Sequence, residues 1–95
     1  MDPCKSYYME TVSRVEKVVA DKYPKAYEAV PERFWDCLMA NHRQAYDKMK
    51  ANEREMEQHW LNGNMEEMKK FCMAWAKDYL ELYRLFALHA RREAA

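Results

Sequence analysis

Glycine is almost missing from this chain: Gly63 is the single one among 95 residues, with only three prolines beside it. Chains of short strands and tight turns need many residues tolerant of positive φ, so a turn-rich β architecture is excluded, as is a Gly-rich phosphate-cradling loop. An excess of charge of either sign is also missing. Sixteen Lys and Arg balance sixteen Asp and Glu, for a formal net charge of zero. A dedicated nucleic-acid binder carries a basic excess, so no nucleic-acid partner is expected. Long apolar runs are missing too. No stretch reaches the roughly 18 consecutive apolar residues that span a bilayer, so no membrane partner is expected. The opening Met-Asp-Pro-Cys-Lys-Ser-Tyr-Tyr is charged early and has no apolar core, which argues against a secretory leader.

Cysteine is scarce and oddly counted. Cys4, Cys37 and Cys72 are three, far apart, with no C-x-x-C pair. That excludes a disulfide-stapled mini-protein and points to reduced thiols in the cytoplasm. Cys37 and Cys72 read as small buried hydrophobes.

What is present is apolar and charged in helical proportion: 49% hydrophobic, 34% charged, 14% aromatic, with eight Met. One domain covering residues 1–95 is expected, and its pattern is all-α. Asp2 followed by Pro3 is a helix start, a capping carboxylate ahead of a ring whose φ suits the first helical position. Tyr8, Val12, Val15 and Val19 recur at steps of four and three, one apolar stripe over a helix of about residues 3–22. Tyr23-Pro24 ends it, since the residue before Pro avoids the helical region.

A connector over 23–31, with room for one helical turn, leads to Pro31-Glu32. There a second helix opens and is expected to run unbroken over about 32–61. Its apolar face thins between Lys50 and His59, where only Ala51 and Met56 are apolar. Asn62-Gly63-Asn64 is the clearest punctuation: Gly63 suits a left-handed helix end, Asn64 a helix start, and Glu67 stands at the capping-box position. A turn over 62–64 forces the flanking helices antiparallel. The third helix, about 65–92, carries an alternating three-four period through Met65, Met68, Cys72, Trp75, Tyr79, Leu82, Phe86 and His89. The expected architecture is therefore a three-helix bundle: a long antiparallel hairpin with a shorter N-terminal helix on its open end.

Length suggests an interaction surface. Hairpin arms of about 30 residues reach about 45 Å, while a first helix of about 20 residues reaches about 30 Å. Starting from the open end, that helix is expected to run out before the Gly63 turn. It would leave Met56, Trp60, Leu61, Met65, Met68, Phe71, Cys72, Met73 and Trp75 uncovered. Large apolar patches on small proteins mark partner sites. The first reading is thus a non-enzymatic interaction protein that forms a homodimer, or meets another protein, through a Met/Trp-rich tip.

A catalytic or cofactor constellation is not found. His42, His59 and His89 are scattered, and no H-E-x-x-H or E-x-x-H pair occurs. In a hairpin centred on Gly63, Cys37 falls opposite His89, with Asp36 and Glu93 as nearby carboxylates. This motivates a second reading, a small-ligand or metal site among Trp35, Cys37, Tyr79, Phe86 and His89. Glu53, Glu55 and Glu57 read as solvated surface, because only Glu53 and Glu57 share a helix face. Tyr7, Tyr8, Tyr23 and Tyr27 lie near Lys5, Lys22 and Lys25, but Asp21 and Glu28 interleave and weaken a base-stacking surface.

Overall fold

The computed structural model describes residues 2–29 and 31–94, and the side chains of Tyr27, Glu93 and Ala94 lie outside what it describes. The fold is all-α, with no strand among the described residues. Five helices follow in order: α1 (Pro3–Lys22), α2 (Pro24–Tyr27), α3 (Pro31–Asn41), α4 (Arg43–Leu61) and α5 (Met65–Ala94).

The helix ends obey the local chemistry. Asp2 caps α1, its Oδ1 accepting the Cys4 N–H at 3.0 Å and the Lys5 N–H at 3.4 Å, with Pro3 in the first turn. At the hairpin tip Gly63 adopts φ 70°. The Gly63 N–H donates to Trp60 O at 3.0 Å and the Asn64 N–H to His59 O at 2.8 Å, which satisfies two carbonyls that would otherwise be orphaned. Asn64 then caps α5, its Oδ1 accepting the Glu67 N–H at 3.3 Å. The side chain of Glu67 accepts from Lys70 at 2.9 Å.

The expected helix over 32–61 is two helices. It continues through the apolar-poor stretch Lys50 to His59 but breaks at His42 (φ −136°, ψ 46°). No Pro or Gly marks the break; Asn41 and His42 are both weak helix formers. Packing decides the matter. In an unbroken helix Trp35 and Tyr46 would stand about 16 Å apart along the axis, whereas their ring centroids are 5.9 Å apart. Folding α3 back lets Phe34 reach Tyr83 (4.6 Å) and Phe86 (5.2 Å), and buries Leu38 completely.

That break also overturns the expectation that the first helix falls short of the tip. It shortens the arm beside α5 to the 19 residues of α4, about 28 Å, which the 20 residues of α1 can match. α1 lies along α5 in the same direction, with Tyr7 beneath the Lys69 ammonium (5.2 Å) and Tyr8 against Trp60 and Trp75. The side chain of Trp60 donates through Nε1 to Asp2 Oδ2 at 2.9 Å. One carboxylate thus caps α1 and fastens it to the hairpin, and the indole donor holds the Asp2 carboxyl below its ordinary range.

The core joins Cys4, Ala26, Phe34, Leu38, Met49, Met56, Met68, Cys72, Trp75, Leu82 and Phe86. Aromatic rings pass through it in unbroken contact: Trp60 to Tyr8 to Trp75 to Tyr79 to Tyr83 to Phe34 to Phe86. On the opposite edge of α4 the polar pairing is Asn52 Nδ2 to Asp78 Oδ2 at 2.6 Å, with Lys48 at 3.5 Å from the same carboxylate.

Candidate functional site

The tip residues divide into two sets. Met56, Met68, Cys72 and Trp75 belong to the core, none more than 5% exposed, with Tyr8 of α1 against Trp75 and Thr11 beside Cys72. Their expected role as open surface is thereby corrected. Burial pushes the Cys72 thiol up, further from the reactive thiolate. Trp60, Met65 and Phe71 are half-buried; Phe71 stacks on the His59 ring at 5.4 Å and 16°. Leu61 and Met73 remain open, at 80% and 57% exposed. Leu61, Trp60 and Glu57 line a shallow depression of about 210 Å³. Met9, the residue after Tyr8 on α1, is also exposed.

The second expected site comes together in part. Cys37, Phe86 and His89 line one open cavity of about 600 Å³ at the far end, with Asp36 and Glu32 on its rim. Trp35 and Tyr79 do not join it. They meet edge to face at 5.8 Å on the other side of Phe34. Among the described residues no group of three or more His, Cys, Asp or Glu is placed to hold a metal ion.

A third location was not singled out from sequence. Between α1 and α5 runs a cavity of about 140 Å³, lined on one side by Tyr8, Val12, Val15, Glu16 and Val19, on the other by Trp75, Tyr79 and Tyr83. The Trp75 indole N–H donates to Glu53 Oε2 at 3.1 Å, and Lys50 donates to the other oxygen of Glu53 at 3.1 Å. Burial foremost, then the neighbouring Tyr83 and Glu53, drives the Tyr79 phenol well above its ordinary value. The available sequence signal was the α1 stripe containing Tyr8 and Val12, which periodicity alone assigns to core.

With this geometry in hand, the chain was compared with protein-family models, curated proteins and solved structures, and it matches none of them. Among the described residues no helix is long and apolar enough to cross a membrane.

Proposed function

We propose that the protein works by contact and not by catalysis, as a small helical interaction module in the cytoplasm that self-associates through the tip of the α4–α5 hairpin. One observation carries this reading: Leu61 projects 80% exposed beside the depression of about 210 Å³ formed with Trp60 and Glu57. A knob next to a hollow on one surface is what a two-fold contact uses, since each copy supplies both. A standard interface takes about 800 Å² from each partner. With Met56, Met68 and Trp75 already buried, the remainder would come from Met9 on α1 and Met65 and Met73 on α5. An odd number of cysteines far apart in the chain suits a reducing compartment.

Light scattering on a sizing column under reducing conditions tests the reading. The expected mass is twice that of the chain, falling to one chain for Leu61→Glu with helicity unchanged, because Leu61 contributes little to the fold. A single-chain mass across the accessible concentration range would remove self-association.

A further inference from the structure

The cavity between α1 and α5 goes unused by the tip contact, and its chemistry is specific. Four aromatic rings border it, those of Tyr8, Trp75, Tyr79 and Tyr83. Of its lining residues Val19 and Trp75 are only 1% and 5% exposed, while Glu16 is exposed. We infer that this cavity binds a small free organic cation, an alkylammonium or quaternary ammonium group about the size of one six-membered ring.

Size, shape and charge each support that assignment. An apolar cavity of about 150 Å³ holds a benzene-sized guest, and this one measures about 140 Å³. Successive rings from Tyr8 to Tyr83 are inclined by 42°, 58° and 38° and touch one another, so the aromatic lining is continuous along the cavity. Ring faces carry negative potential and attract cations. Among the described residues no Lys, Arg or His lines the cavity, and Glu16 is its one charged lining residue. Behind the indole of Trp75, Glu53 accepts its N–H and so orients the ring, its own charge being paired with Lys50. The fold already seats one ammonium in this manner: Lys50 Nζ lies 3.1 Å from Glu53 and 6.0 Å from the centre of the Trp35 ring. A zwitterionic lipid headgroup offers the same ammonium, but its adjacent phosphate would face Glu16, so the free cation is favoured.

The test is a titration of the full chain with choline chloride at constant ionic strength, followed by the NMR shift of the Trp75 indole N–H. A saturable shift in the millimolar range is expected. The neutral carbon isostere of choline, in which carbon replaces the ammonium nitrogen, should bind roughly fivefold or more weakly. Glu16→Gln, at an exposed site that leaves the fold intact, should weaken choline roughly two- to fivefold. Equal binding of choline and its isostere, with no effect of Glu16→Gln, would make the cavity a plain apolar hole and overturn the proposal. Absence of any saturable shift would overturn it as well. Phosphatidylcholine vesicles shifting the same signal as strongly as free choline would overturn the free-cation assignment. Repeating the titration on Leu61→Glu keeps the result separate from the tip contact, since the cavity is expected to respond alike in both proteins.

Discussion

Replacing Tyr8 by Ala removes the ring that joins α1 to the hairpin. Its centroid lies 5.4 Å from that of Trp60 and 5.6 Å from that of Trp75, and the side chain is half-buried. An aromatic side chain buries roughly 200 Å² when fully enclosed. Taking about 130 Å² as lost, at about 25 cal/mol per Å², gives about 3 kcal/mol. Two ring contacts add about 0.5–1 kcal/mol each. The expected loss is therefore about 4 kcal/mol, a large share of the roughly 5–15 kcal/mol that holds a domain folded. For a chain of this length that lowers Tm by about 15 °C or more. Urea unfolding followed by far-ultraviolet circular dichroism reads the change directly. A double-mutant cycle with Trp60→Ala should return a coupling of about 1 kcal/mol, because the two rings touch. A loss below about 1 kcal/mol together with no coupling would refute the docking of α1 on the tip, and with it the buried status of Met68 and Trp75.

Two further outcomes follow from buried groups. Tyr79 has its folded-state value raised above the ordinary 10.0, chiefly by burial, and Tyr8 is raised the same way. The native state thus holds their protons longer than the unfolded chain does, so this contribution is fully present below about pH 10 and fades as pH climbs above it. Tyr79→Phe should flatten that alkaline loss in a series of urea melts; an unchanged slope would contradict the buried phenol. Among the thiols, Cys4 and Cys72 are 4% and 0% exposed while Cys37 is half-buried on the rim of an open cavity. A native thiol titration should therefore label Cys37 first, with the other two reacting only on unfolding; rapid labelling of Cys72 would show that α1 does not cover it.

Much of the fold was legible because its punctuation is local. Asp2-Pro3, Tyr23-Pro24 and Gly63-Asn64 act through backbone geometry and nearby hydrogen bonds, and each marks an element end in the structure. The three-four period of α5 survives from Met65 onward for the same reason. The break at His42 was hidden, since it arises from Phe34, Trp35 and Leu38 packing on α5 and not from any helix-breaking residue. That one omission carried forward. An unbroken arm of about 30 residues makes α1 look short, and Met56, Met68 and Trp75 then fall on open surface. The Asp2–Trp60 hydrogen bond had no signature at all, because nothing in either residue names its partner. Cys37 and His89 do share a cavity, but Trp35 and Tyr79 meet each other outside it.

The fastening of α1 has a kinetic side. Asp2 and Trp60 are 58 positions apart in the chain, whereas α4 and α5 are joined by the three residues Asn62, Gly63 and Asn64. Loop-closure entropy grows with the logarithm of length, so closing the long connection costs about 2.6 kcal/mol more than closing the short one. Closure entropy therefore favours formation of the hairpin ahead of the docking of α1. Until α1 docks, the aromatic cavity lacks the whole of one wall.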